Sequence, residues 1–204
     1  MEEEFKCLIA FITNEYIKMN CLWRNDKLYK KINFNKILVK DIYNEKDVFE
    51  TILNYRAFLN EKNIEFVENI QKFNTENITI SARVKAINSI EYKIKNYVKN
   101  HENGEIPIKK CINDLFGVRI ICNEKMEYNF ISEFVGSNYP KLKCINSSKK
   151  EYVATHIYFR ENNNSFPWEL QIWSKDCEKS NIRSHALYKQ DYTKWEAENK
   201  GGVF

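Results

Sequence analysis

No apolar run in this chain approaches the ~20 residues a helix needs to span a bilayer, so no membrane partner is expected. There is no C-x-x-C pair either. Cys7, Cys21, Cys111, Cys122, Cys144 and Cys177 are scattered, a spacing that gives no support to a zinc site, and they read as free thiols. The opening M-E-E-E-F-K is acidic where an export signal would be basic, so a cytoplasmic protein is expected. Internal repeats are absent. Charge of one sign is also absent: 32 Lys+Arg against 28 Asp+Glu leaves +4, too little alone to imply nucleic-acid binding. What is present is a globular composition, 43% hydrophobic and 29% charged, in 204 residues, enough for one compact domain with a substantial core.

Hydrophobic spacing divides the chain. Residues 3–19 (Phe5, Leu8, Ile9, Ile12, Tyr16) and 46–72 (Ile52, Tyr55, Leu59, Phe66, Ile70) repeat at helical intervals and read as packing helices. They make 1–72 an N-terminal helical segment packing on a core of 73–204. From 77 to 84 the period changes to two, a strand. Ser89 can N-cap a helix to about Lys99. Strand-like runs follow at Leu115–Cys122, Val153–Phe159 and Trp168–Trp173, with a helix expected between the first two. A basic loop is expected over 139–151 and a closing helix from Cys177 to about Glu198. This order predicts a mixed α/β fold, a sheet with helices packed against it.

Two of the strand signals carry acids: Asp114 in N-D-L-F-G-V-R-I-I-C and Glu169 in P-W-E-L-Q-I-W. A carboxylate on or beside a buried strand is costly unless it binds a metal, pairs with a cation or accepts good hydrogen bonds. Two neighbouring strands presenting acids to one site is a common way to hold magnesium against phosphates. Strand alternation puts Glu169 with Gln171, Tyr152 with His156 and Tyr158, and Arg83 with Lys85. Asp114 is placed at the strand's mouth, re-aimed by a bulge at Gly117. Taken singly, a histidine such as His156 is more often a satisfied core residue than a catalyst, Arg83 with Glu169 could be a structural ion pair, and Tyr152 could simply pack.

Five motifs in order carry a resemblance. R-V-K-A-I-N-S-I-E-Y-K (83–93), D-L-F-G-V-R-I-I (114–121), Y-V-A-T-H (152–156), E-L-Q-I (169–172) and S-H-A-L-Y-K (184–189) resemble the motifs of the RelA/SpoT synthetase family. That family moves the β,γ-pyrophosphate of ATP to a ribose 3′-hydroxyl. The resemblance implies a nucleotidyltransferase-like mixed five-stranded sheet flanked by helices. It implies Mg2+ as cofactor and ATP as donor: Asp114 and Glu169 on the metal, with Glu169 also able to take the hydroxyl proton. Arg83 and Arg119 would sandwich adenine, Lys85 and Lys93 would hold phosphates, and Ser89 belongs to the same ATP-binding motif. Tyr152 would stack on the acceptor base, supported by His156 and Gln171.

The chain departs from the alarmone-making pattern at Glu151, Val153 and Trp173, where a glycine-containing loop and two cationic groups are expected. Together with Y-x-A-T-H and W-E-L-Q-I-W, this resembles the toxic small alarmone synthetases. That implies the tRNA 3′-CCA end as acceptor, an antitoxin protein as partner, and a basic surface leading to Tyr152, built from Lys27–Lys40 and Lys141–Lys150. The close rival is the same transfer to GDP or GTP. An inactive nucleotide-binding or interaction module is a different class, disfavoured by the retained Asp114, Glu169 and Tyr152. A bare metal-dependent nuclease would leave the arginine pair without a role. Oligomeric state is not legible.

Overall fold

The computed structural model describes residues 2–186. The far part of the expected closing helix, with Tyr188, Lys189 and the terminal G-G-V-F, lies outside the described residues. Helix α1 (Glu2–Arg24) buries Phe5, Leu8, Ile9, Ile12, Tyr16, Met19 and Trp23 along one stripe. Its three first-turn glutamates and its terminal Arg24 suit the helix dipole. Helix α2 (Lys46–Ile70) buries Ile52, Tyr55, Leu59, Phe66 and Ile70 in the same way. There follow β1 (Ile78–Val84), α3 (Ile87–Asn100), β2 (Phe116–Cys122), α4 (Tyr128–Asn138), β3 (Lys143–Asn146), β4 (Thr155–Phe159) and β5 (Trp168–Ser174), then a helical segment over 178–186.

The five strands form one mixed sheet in the order β1-β2-β5-β4-β3, in which only β2 and β5 run parallel. Alternation sorts the side chains into two sets. Phe116, Val118 and Ile120 of β2 and Trp168, Leu170 and Ile172 of β5 face α1 and α2 and join one hydrophobic cluster with them. Phe66 meets Phe116 and Trp168 edge-on at 4.9 and 5.7 Å between ring centres. The indole N–H of Trp168 donates to the buried Tyr55 hydroxyl at 2.9 Å, so burying this large ring leaves no orphan donor. The other face carries the polar set described below.

The structure corrects four local expectations. The stretch 139–151 contains β3, a four-residue edge strand whose Lys143 and Asn146 are exposed. An edge strand pairs on one side only and can be too short and polar to carry a hydrophobic period. Helix α3 starts at Ile87 after Ala86, with no side-chain cap, so Ser89 sits inside its first turn and does not cap it. No bulge interrupts β2. Its register is unbroken from Phe116 to Cys122 against both neighbours, and Asp114 is re-aimed because it precedes the strand. Strand β4 begins at Thr155 rather than Val153, because buried Asn181 accepts from the Val153 N–H and donates to its C=O, each at 2.8 Å.

Because Phe66 seals α2 against the two central strands, Phe66→Ala is expected to cost about 3–5 kcal/mol. Urea denaturation with an unchanged m-value would check this.

Candidate active site

The polar face is assembled by register. Arg83 pairs across with Gly117, Gly117 with Glu169, Arg119 with Gln171, Gln171 with His156, and Glu169 with Tyr158. Gly117 leaves room here: a Cβ on it would touch the Arg83 side chain at 3.8 Å. Beyond the sheet, Lys85 follows β1 directly, and Ser89 and Lys93 project from α3. A cavity of about 370 Å³ is lined by Arg83, Lys85, Ser89, Lys93, Asp114, Glu169 and Gln171 among others. Residues up to 88 positions apart in sequence therefore line one cavity.

Asp114 is compensated by charge. Lys85 Nζ lies 2.7 Å from Oδ2 and Lys93 Nζ 2.9 Å from Oδ1, with all three side chains nearly buried. Burial pushes the carboxyl up, but Lys93 and Lys85 overcome it and hold Asp114 well below the usual carboxylate range. Burial pulls the Lys85 ammonium down more than Asp114 lifts it, with the Lys93 charge adding to the loss. Burial opposes Lys93 as well, yet there Asp114 wins and the group titrates above its ordinary value. Lys93 also donates to Asn113 Oδ1 at 2.8 Å.

Glu169, 7% exposed, is compensated by hydrogen-bond contacts. Tyr158 donates to Oε1 at 2.9 Å, Gln171 Nε2 donates to Oε2 at 2.8 Å, and His156 Nδ1 stands 3.1 Å from Oε1. Trp173 Nε1–H donates to the Tyr152 hydroxyl at 3.3 Å, and that hydroxyl lies 2.8 Å from His156 Nε2, so a continuous chain of contacts runs from Trp173 through Tyr152 and His156 to Glu169. A second chain enters from Arg119, whose Nε and Nη2 donate to Gln171 Oε1 at 3.1 and 3.0 Å. Burial and the Asp114 charge both push Glu169 up; the His156 and Gln171 contacts outweigh them and leave it lowered. Burial pushes the Tyr152 phenol up to about 12, so it remains a donor at neutral pH.

The structure thus brings together all ten residues singled out from the sequence. It adds four others. Trp173 carries the Arg119 guanidinium 3.8 Å from its ring centre. His185 stacks on Trp173 at 5.5 Å and meets Tyr152 edge-on at 5.4 Å. Burial, with the Arg119 and Arg83 charges, lowers His185 to about 4, so it is neutral at pH 7. Tyr158 and Asn181 complete the set. His185 was legible as part of S-H-A-L-Y-K, and Tyr158 by alternation with His156, whereas a lone asparagine bonding backbone carries no sequence signal.

Two ionised carboxylates lining one cavity are the donor set a hard cation takes from protein. Asp114 already binds two cationic groups. Among the described residues no cluster of three His, Cys, Asp or Glu could cage a metal, so a magnesium ion held here would take its other ligands from phosphate and water.

Removing the charge of Asp114 would strand two nearly buried ammoniums. Asp114→Asn is expected to destabilise the fold by about 3–5 kcal/mol, and Lys93→Met in the same chain to recover part of that loss. Denaturation of the single and double variants measures the coupling.

Residues 82–193, more than half of the chain, match the family described as "Region found in RelA / SpoT proteins". Comparison with curated proteins finds no match. Among solved structures, the chain is similar to small alarmone synthetase 1 from Bacillus subtilis bound to its product pppGpp. Identity there is 15%, over 72% of this chain and 83% of that one, with a TM-score of 0.43. Small alarmone synthetase 2 from the same organism gives 20% identity over 71% and 81%, TM-score 0.42. A GTP pyrophosphokinase family protein from Streptococcus pneumoniae gives 13% over 71% and 76%, TM-score 0.42. With the motif-bearing half of the chain matched in full, this protein belongs to the RelA/SpoT family of pyrophosphokinases.

Proposed function

We propose that the protein transfers the β,γ-pyrophosphate of ATP to the ribose 3′-hydroxyl at the CCA end of tRNA, inhibiting translation as the toxin of a toxin–antitoxin pair. The observation carrying this reading is the chemistry of the acceptor side. Tyr152 is surrounded there by Trp173, His185 and His156, and positions 151, 153 and 173 contribute no cation. Such a pocket grips a base by stacking but has little hold on the 5′-phosphates of a free guanine nucleotide. It suits an acceptor whose phosphates are anchored elsewhere.

On the donor side, Arg83 and Arg119 leave the same sheet face at diagonal positions of neighbouring strands. Such positions lie roughly 7–8 Å apart, about two van der Waals contacts, which admits one planar adenine between the guanidiniums. Lys85, Lys93 and the first turn of α3 around Ser89 line the cavity where the phosphates would lie; a helix N-terminus and two ammoniums all favour anions. Asp114 and Glu169 would hold magnesium, which when bound supplies charge neutralisation to the phosphates.

The step balances simply. The 3′-oxygen attacks the β-phosphorus, its proton passes to Glu169, and the bond from that phosphorus to the α,β-bridging oxygen breaks, releasing AMP. Glu169 suits the base role because hydrogen bonds from the neutral Tyr158 and Gln171 side chains position it without neutralising it. Asp114, clamped between two ammoniums, is the weaker base. Stacking on Tyr152 would aim the 3′-oxygen.

Incubating the protein with ATP labelled in the γ-phosphate, magnesium, and either total tRNA or GDP plus GTP tests the reading. Label is expected on tRNA, and Glu169→Gln is expected to slow transfer about 10²–10⁴-fold. Label on guanine nucleotides alone would establish the rival, alarmone synthesis.

A further inference from the structure

Beside the donor cavity, and larger than it, is a groove of about 820 Å³ lined by Tyr158, the residue that donates to Glu169. Its cations come from three separate parts of the chain: Lys109 and Lys110, Lys141 and Lys143, and Arg160. Only one acid, Glu161, lines it, and that carboxylate is occupied by Arg24 at 2.7 Å. Five cations to one neutralised acid is a sharp departure from a chain that carries 32 basic and 28 acidic residues overall. Among the described residues, none of the four lysine ammoniums has a hydrogen bond or ion pair. Arg160, by contrast, is braced by Asn35, Asn162 and Asn163, which fixes it on the groove wall.

Two residues of the groove lining hydrogen-bond to residues that line the donor cavity. Tyr158 lines it and donates to Glu169. Asn113 lines it and accepts from Lys93, which also holds Asp114. A chain of phosphates in the groove would therefore end beside the carboxylate placed as base. The cations expected at Lys27–Lys40 serve less well: Lys30 pairs with Asp47 and Lys40 with Glu105. Lys141 and Lys143 join this groove, which Tyr158 also lines.

We infer that the Lys109–Lys110–Lys141–Lys143–Arg160 groove binds the phosphodiester backbone leading to the reactive 3′ end of a polynucleotide acceptor. The inference rests on the acceptor proposed above. The phosphates of a mononucleotide share the same chemistry, but the groove's volume is more than twice that of the donor cavity, room for several phosphates.

The test uses the full chain with Lys109, Lys110, Lys141 and Lys143 all changed to Gln, and a second variant with all four changed to Arg. Anisotropy titration with unfractionated tRNA across a KCl series gives the salt slope, and transfer of label from ATP gives activity. The Gln variant is expected to lose roughly 3 from the slope of log affinity against log salt, at about 0.7–0.9 per phosphate contact, while the Arg variant retains it. ATP affinity, unchanged in both, reports an intact fold. If the wild type labels tRNA and the Gln variant keeps its slope and affinity, the groove assignment is wrong and the acceptor reading stands. If the wild type labels only GDP or GTP, the acceptor reading fails, and a raised KM for GTP in the Gln variant would make the groove a mononucleotide phosphate site.

Discussion

The organisation of this molecule turns on keeping two carboxylates ionised in places where water is largely excluded. Burial alone would protonate both. Asp114 is held by opposite charge, through two ammoniums, and Glu169 by hydrogen bonds from Tyr158 and Gln171 with His156 Nδ1 beside it. The difference has chemical consequences. A carboxylate neutralised by cations can exchange those cations for a metal and a polyphosphate, whose charges replace them. A carboxylate surrounded by oriented neutral donors keeps its net charge and can receive a proton at a fixed point.

Both solutions depend on the sheet. Uninterrupted register across β1, β2, β5 and β4 places Arg83, Arg119, Glu169, Gln171, His156 and Tyr158 on one face, and a one-residue slip would turn them all into the core. The aromatic packing of α1 and α2 on the opposite face fixes that register. The chain from Trp173 through Tyr152 and His156 to Glu169 then ties the proposed acceptor side to the proposed base. The Asn181 clamp on Val153 holds the turn that carries Tyr152.

Much of this was legible in the sequence because it rests on period. The two N-terminal helices, four of the five strands and the shared face of Glu169 with Gln171 follow from spacing alone, and ordered motifs supplied the rest of the residue set. What was illegible depends on tertiary pairing. The edge strand at 143–146 is polar and short, and its pairing partner decides it. The start of β4 is set by a side chain from a distant helix. Asp114 is re-aimed because the strand begins only after it, at Phe116, which spacing does not distinguish from a bulge. The groove cations are separated by up to 51 positions, and nothing local distinguishes them from ordinary surface lysines.

The most direct test of the account is the pH dependence of single-turnover transfer. Glu169 is held below its ordinary carboxylate value of 4.5, so the proposed base is ionised throughout the neutral range. The rate is expected to stay level from pH 8 down through pH 5.5 and to fall only below 4.5, with Tyr158→Phe moving that fall to higher pH by removing a donor to the charged form. A fall centred near pH 6 to 7 in the wild type, unmoved by Tyr158→Phe, would contradict the assignment of Glu169 as the group that takes the proton.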